Sequence, residues 1–208
     1  MGDSMSKIEV DSITNQSGDQ DSGINLGTND TVKFDIAGST KWTLNSSGNL
    51  FPSSTSQGIC FGVTSDTASN RLSDYEEGTW TPAYTFSGGG TVTHGSRAGN
   101  YIKVGNLVQV GFNIRSTGVS SLSGSLTLTG LPFPVKNATG ARMGGSVGFN
   151  RDWGADMPNF RIYTSPNSSQ LNFYYNAMNA TSAAVGTSQF ATGSDHNVIE
   201  ATAVYITE

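Results

Sequence analysis

The chain has 208 residues and a net charge of −5, and only 13% of its residues are charged. An average globular domain has about 25% charged residues. The low charge and the scarcity of strong helix formers exclude a helical bundle and a coiled coil, and the acidic balance excludes a basic nucleic-acid-binding domain. Together with 26 glycines, this composition predicts an all-β chain rich in turns.

The sequence carries few of the residues that hold cofactors. Its apolar runs fall far short of the roughly 20 residues that cross a membrane. The single cysteine, Cys60, excludes an intramolecular disulfide and is interpreted as a small buried hydrophobe. His94 and His196 are isolated from other metal ligands, and no glycine-rich phosphate-binding motif occurs. We therefore expect no metal, no cofactor, no nucleic-acid partner and no membrane insertion.

The first 30 residues contain one short strand signal, carried by Ile8, Val10 and Ile13. A turn-rich stretch, NQSGDQDSGINLGTND, follows this signal. A segment with so few apolar residues cannot bury a core of its own. Residues 1–30 are therefore predicted to be an extended segment.

Residues 31–63 are predicted to form short strands separated by turns. Val32, Phe34 and Ile36 alternate with charged residues, which is the period of a strand with one apolar face. Three or four such strands make too small a core to be stable alone. We expect them to associate with copies of themselves as a short interwoven β shaft, and residues 64–80 to form a polar linker.

From residue 81 onward the strand signals become denser. Gly105 and Asn106 are predicted to form a two-residue hairpin turn. The final strand, residues 198–206, is apolar on both faces, so we expect a second sheet or a neighbouring subunit to cover it. The strand spacing predicts an antiparallel, jelly-roll-like β-sandwich over residues 81–208. The apolar residues after the turn share one face of their strand: Val108, Val110, Phe112 and Ile114.

Charge is distributed unevenly along the chain. Residues 1–80 carry four basic residues against eleven acidic ones, which gives a net charge of −7. Residues 81–208 carry seven basic residues against five acidic ones, which gives a net charge of +2. A nearly neutral region is not suited to long-range electrostatic capture, so its ligand is expected to be neutral or weakly charged.

Paired carboxylates are the main catalytic alternative, because glycan-cleaving enzymes place two acids on either side of the scissile bond. Asp152 and Asp156 lie together in the stretch NRDWGADMPN. The Gly and Pro in this stretch favour a loop in which Asp side chains form turns. No nucleophile-elbow motif occurs, and we expect that the chain is not an enzyme.

Two stretches of sequence, NRDW at residues 150–153 and NFYYN at residues 172–176, combine aromatic rings with polar side chains. Such groups suit sugars, which present an apolar face and a rim of hydroxyls. The alternative interpretation places Trp153 and Tyr174 in the core or in an interface. The predicted glycan-binding residues are Asn150, Arg151, Asp152, Trp153, Tyr174 and Tyr175.

Several stretches resemble a known family. The segment LSDYEEGTWTP at residues 72–82 is similar to the junction that precedes a C-terminal β domain in tail-fibre proteins of marine and cyanobacterial phages. The stretches GNYIKVGNLVQV and LTGLPF resemble the strands and turn that follow that junction. Residues 6–15, SKIEVDSITN, are similar to the start of such proteins. The resemblance covers residues 6–15 and 72–133.

This resemblance implies a parallel homotrimer that is made in the host cytoplasm and built into the virion as a tail fibre. It implies that residues 1–30 attach to a tail, baseplate or other virion protein, and that residues 81–208 form a tip that binds a host-surface glycan or receptor. Two alternatives stay open, a purely structural capsid or tail appendage and a glycan-degrading tailspike-like hydrolase. Tailspike enzymes usually need a long β-helix, and the sequence has no repeat of that kind.

Overall fold

The computed structural model describes residues 10–14, 22–27, 30–72, 74–176 and 181–208. The strand signal predicted at Ile8 lies outside these residues. The chain divides into two compact units, Met1–Ser73 and Asp74–Glu208. The described residues form strands, turns and two short 3-10 helices, so the expected all-β fold is confirmed. None of the helices in this part of the chain is long and apolar enough to cross a membrane.

The N-terminal unit contains an antiparallel sheet of five short strands. Each of these five strands pairs with the next one along the chain. A separate pair of two-residue strands follows them. The strands are β1 (Ser12–Thr14), β2 (Gly23–Asn25), β3 (Val32–Ile36), β4 (Ser39–Leu44), β5 (Leu50–Pro52), β6 (Ile59–Cys60) and β7 (Arg71–Leu72).

One face of the five-stranded sheet is apolar. Residues that lie opposite each other on neighbouring strands share a face. One such row crosses all five strands and contains only apolar residues: Ile13, Ile24, Phe34, Trp42 and Pro52. None of the described residues of this unit is buried, and Phe34 is 39% exposed. The described part of the unit therefore has no core of its own.

The C-terminal unit contains one ten-stranded antiparallel sheet. Along the sheet the strands follow the order β8-β10-β11-β17-β13-β14-β15-β12-β9, and β16 pairs with β15. Their bounds are β8 (Tyr75–Trp80), β9 (Ala83–Phe86), β10 (Thr91–Val104), β11 (Leu107–Ser120), β12 (Leu126–Thr129), β13 (Gly144–Arg151), β14 (Arg161–Thr164), β15 (Gln170–Tyr175), β16 (Ala183–Ala184) and β17 (His196–Ile206).

The sheet curls over its own core, so the expected sandwich takes the form of one continuous sheet. Tyr84 on β9 donates its hydroxyl to the carbonyl of Asn197 on β17 over 2.7 Å, although four strands separate β9 from β17. Burial raises the pKa of the Tyr84 phenol well above its usual value, which keeps the hydroxyl protonated as a donor.

Strands β10 and β11 form the hairpin that the sequence predicts. Val104 and Leu107 close the turn, and Gly105 has a φ of 56°, which favours glycine. The inward face of β11 is also confirmed, because its four apolar residues are between 0% and 6% exposed: Val108, Val110, Phe112 and Ile114.

The C-terminal unit begins earlier than the sequence analysis expects, because β8 falls within the predicted linker, residues 64–80. Strand β8 lies at the edge of the sheet and pairs with β10. Its inner positions are Glu76, Gly78 and Trp80, so the alternation typical of a half-buried strand is missing. Gly78 is required by packing, since a Cβ there would lie 2.8 Å from the Tyr101 hydroxyl.

The final strand, β17, lies in the middle of the sheet between β11 and β13. Its inward residues Ile199, Ala203 and Tyr205 are buried, as expected. On the other face Val198 is buried, but Val204 and Ile206 stay partly exposed. The chain itself therefore covers one face of β17 fully and the other only in part.

Candidate functional site

Two residues of the predicted binding loop, Arg151 and Asp152, belong to a network of ion pairs. Arg151 pairs with Asp152 and lies 3.4 Å from Asp195. Asp195 also accepts a 2.5 Å hydrogen bond from Arg115. The side chains are 41–48% exposed, so each pair adds little stability. The charges of this loop are balanced within the chain, and Asn150 lies exposed beside them on β13.

Trp153 packs against the aromatic part of the core. Its ring centroid is 6.3 Å from Tyr84, 5.4 Å from Phe160 and 5.7 Å from Phe190. Its indole N–H donates to the carbonyl of Val198 over 3.3 Å. The structure thus places Trp153 where the alternative interpretation puts it, as a partly buried packing residue.

Tyr174 and Tyr175 lie on opposite sides of the sheet, because successive side chains of a strand point to opposite faces. Tyr175 packs against the core. Tyr174 lies on the outer face, where its ring centroid is 5.1 Å from that of Tyr163. The described contacts do not join either tyrosine to Arg151 or Asp152.

A concave site of about 500 Å³ surrounds the Tyr163–Tyr174 pair on the outer face of β13, β14 and β15. We call it the tyrosine groove and define it by Arg142, Gly144, Arg161, Tyr163 and Tyr174. The Arg142 guanidinium carbon lies 4.9 Å from the centre of the Tyr163 ring. Gly144 is directly opposite Tyr163, so no side chain covers the ring from that strand.

Arg161 forms the other end of the groove, where it lies opposite Tyr174 in the strand register. Its guanidinium donates to the side-chain oxygen of Asn176 and, over 2.8 Å, to the hydroxyl of Ser182. Both acceptors are neutral. Among the described residues, neither Arg142 nor Arg161 forms an ion pair with a carboxylate.

Tyr163 is a neutral hydrogen-bonding group at physiological pH. Burial is the main cause that raises the pKa of Tyr163 above its usual value, and the neighbouring Tyr174 phenol is the second cause. The Arg142 charge opposes this shift. The Tyr163 phenol therefore keeps its proton. The groove combines an aromatic surface, phenol hydroxyls and two guanidinium groups.

Of the five residues that define the groove, only Tyr174 was predicted from the sequence, and Arg142, Gly144, Arg161 and Tyr163 were missed. Arg161 and Tyr163 alternate with the buried Ile162 and Thr164, so the period of the strand could have placed both on the outer face. Arg142 carries no comparable signal, because it precedes β13 and reaches Tyr163 only through the pairing of β13 with β14.

A second groove, of about 590 Å³, lies on the outer face of β8, β10 and β11. Its lining includes Glu77, Thr79, Asn100, Ile102 and Gln109. The one aromatic residue in its lining is Tyr101, whose ring packs against the core and whose hydroxyl donates to Glu76. This groove has polar groups but lacks an open aromatic face.

The described residues contain no group of three or more His, Cys, Asp or Glu side chains that could hold a metal ion. His94 instead accepts a 2.9 Å hydrogen bond from the backbone N–H of Tyr84 through Nε2. Burial, with a smaller contribution from the Arg97 charge, lowers the pKa of His94. The neutral imidazole therefore acts as a hydrogen-bond acceptor for the backbone of Tyr84. Cys60 is partly buried and donates its thiol to Asp66.

The fold is similar to that of the Dettilon tailspike protein, known from a crystal structure, with a TM-score of 0.52 and 17% sequence identity. The match covers 64% of this chain and 23% of the tailspike chain, so this chain spans less than a quarter of that protein. No protein-family model and no curated protein matches the chain. About two thirds of the chain therefore shares the fold of part of a phage tailspike protein.

Proposed function

We propose that the chain is a structural component of a phage tail and attaches the virion to the host by binding a surface glycan without cleaving it. The observation that carries this proposal is the tyrosine groove on the outer face of the C-terminal sheet. The fold likeness to a tailspike protein supports a place in a phage tail.

The groove has the chemistry that sugar rings require. A pyranose presents an apolar C–H face that stacks on an aromatic ring, and its hydroxyls need donors and acceptors at the rim. Tyr163 and Tyr174 supply the aromatic surface, while Asn176 and Ser182 lie at the Arg161 end. Gly144 leaves open space beside the ring of Tyr163, since a Cβ there would have only one neighbour within 4 Å, at 3.7 Å.

Binding without cleavage fits the positions of the carboxylates. Glycosidases need an acid and a second carboxylate beside the bound sugar. Asp152 and Asp195 come together around Arg151, which pairs with both of them. None of the described residues that line the tyrosine groove is Asp or Glu.

The proposed assembly is a parallel homotrimer held by the N-terminal sheet. Its apolar row across five strands has no fully buried residue within the described part of the unit. Three such faces turned toward a common axis bury one another, and closed cyclic symmetry is usual for oligomers of identical chains. Residues 1–30 would attach the trimer to another virion protein. Three copies of the groove would raise avidity by about 10²–10⁴ where the geometry allows simultaneous binding.

Two measurements on the phage test this function. Antibodies against the purified chain, viewed on intact virions by electron microscopy, should label the tail at its distal end. Added purified chain should slow adsorption of the phage to its host, and the Tyr174→Ala chain should not.

Several outcomes would contradict the proposal. Label on the capsid would show a capsid appendage, and unlabelled virions would exclude a virion protein. Adsorption unaffected by the wild-type chain would leave only a structural role in the tail. Release of reducing sugar ends from host polysaccharide, lost in Asp152→Asn, would identify a hydrolase.

A further inference from the structure

We propose that the tyrosine groove selects an acidic sugar, one that carries a carboxylate or a sulfate ester, rather than a neutral one. This inference rests on the proposed function and adds the chemical class of the ligand. It follows from the distribution of charge inside the C-terminal unit, which the net charge of that unit conceals.

Four of the five arginines of the unit fall into two groups, and the fifth, Arg97, lies exposed on β10 outside the groove. Arg115 and Arg151 are paired with Asp195 and Asp152 in the loop network. Arg142 and Arg161 form no ion pair with a described carboxylate. Arg142 instead lies over the Tyr163 ring, and Arg161 donates to the side chains of Asn176 and Ser182. Two of the cations without an ion pair among the described residues thus lie at the two ends of the tyrosine pair, whereas Arg97 and Lys136 lie outside the groove.

The geometry of the guanidinium groups suits an anionic ligand. Guanidinium is planar and binds a carboxylate or another oxyanion through two parallel N–H groups. Arg142 lies over the Tyr163 ring with its guanidinium carbon 4.9 Å from the ring centre. The Arg161 Nη2 atom is already held by Asn176 and Ser182, which orders the guanidinium before a ligand arrives.

A sugar acid can use both features of the groove together. Its ring stacks on Tyr163 or Tyr174 while its carboxylate or sulfate accepts hydrogen bonds from Arg142 or Arg161. A neutral sugar keeps the stacking and loses the charge-assisted bonds. Such a bond to an exposed arginine corresponds to about a tenfold difference in affinity. This attraction falls as salt rises, because ions screen exposed charges.

The experiment uses the full chain and four small sugars as probes: glucuronate, its uncharged methyl ester, glucose and glucose 6-sulfate. Saturation-transfer NMR measures the binding of each. Glucuronate should bind about tenfold more tightly than its methyl ester, and added salt should reduce this difference. Arg142→Gln and Arg161→Gln should each weaken glucuronate binding. Arg97→Gln removes the same charge from an exposed position on β10 outside the groove and should have no effect.

The four probes separate the possible results. Tighter binding of glucose 6-sulfate than of glucuronate supports an acidic sugar and identifies a sulfate ester as its source. Equal binding of glucuronate, its methyl ester and glucose overturns the inference but leaves the proposed glycan-binding function standing. If no probe binds, the inference is overturned, and the adsorption assay with wild-type and Tyr174→Ala chains then decides the proposed function separately.

Discussion

Replacing Trp153 with alanine should destabilise the C-terminal unit without removing a ligand contact. The indole packs against Tyr84, Phe160 and Phe190 and donates to the carbonyl of Val198. Truncating a fully buried Trp costs about 3–5 kcal/mol. Because Trp153 is only partly buried, we expect the free energy of unfolding to fall by about 2–3 kcal/mol, which includes about 1 kcal/mol from the lost hydrogen bond.

Thermal and urea unfolding of the full chain, followed by circular dichroism, measures this loss. For a unit of this size the expected change in Tm is about 5–15 °C. Trp153→Phe keeps a ring in the aromatic cluster, so it should lose less stability than Trp153→Ala. Tyr174→Ala is the matched comparison, because it removes an aromatic ring from the outer face and should change Tm much less.

Binding measured on the folded fraction completes this test. Trp153→Ala should bind the host surface normally at a temperature where it stays folded, whereas Tyr174→Ala should not bind. If Trp153→Ala kept the wild-type Tm and lost binding, the indole would be a ligand contact and the assignment of Trp153 to the core would be refuted.

Three further predictions concern assembly, the unit boundary and pH. Sedimentation equilibrium should show a trimer that Phe34→Lys dissociates and Phe51→Lys, on the other face of the sheet, does not; a 21.8 kDa wild-type monomer would exclude the trimer. A fragment of residues 74–208 should unfold cooperatively but fail to enter virions, and normal incorporation would exclude the attachment role of the N-terminal part. Because the pKa of His94 is lowered in the folded chain, the unfolded chain binds a proton more readily, and the free energy of unfolding should fall as pH drops below about 6.5. In urea titrations the His94→Gln chain should lose less stability over this pH range than the wild type. An equal loss in both chains would refute the role of the imidazole.

Local patterns predict much of the fold. The alternation in β11 and the Gly105–Asn106 turn are properties of a few consecutive residues, so they predict the hairpin and its buried face correctly. Strand β8 was missed because packing determines its inner positions. Gly78 makes room for the Tyr101 ring, and that requirement exists only after β8 and β10 have paired.

The candidate site depends on contacts that no short stretch contains. Trp153 stands among polar residues in the sequence, yet its packing partners Tyr84 and Phe190 come from distant parts of the chain. Tyr174, one of the six predicted binding residues, lies on the outer face. Its partner Tyr163, and Arg142 beside that ring, become visible only when the order of β13, β14 and β15 is known.

Net charge likewise gives an incomplete description of the ligand. The sequence predicts a neutral or weakly charged glycan, because residues 81–208 carry a net charge of only +2. The structure balances Arg115 and Arg151 with nearby carboxylates and leaves Arg142 and Arg161 without such partners among the described residues. A nearly neutral region therefore contains a local positive site.

The most direct test of glycan binding at the tyrosine groove is the binding of labelled chain to host cells, with Gly144→Leu compared against Gly148→Leu. Both glycines lie on β13, and at each one an added Cβ would meet a single backbone oxygen at 3.7 Å. A leucine side chain introduced in place of Gly144 would project beside Tyr163 into the groove, whereas position 148 lies outside it. Gly144→Leu should abolish cell binding and Gly148→Leu should preserve it, with the fold intact in both. Full binding by a folded Gly144→Leu chain would contradict the account.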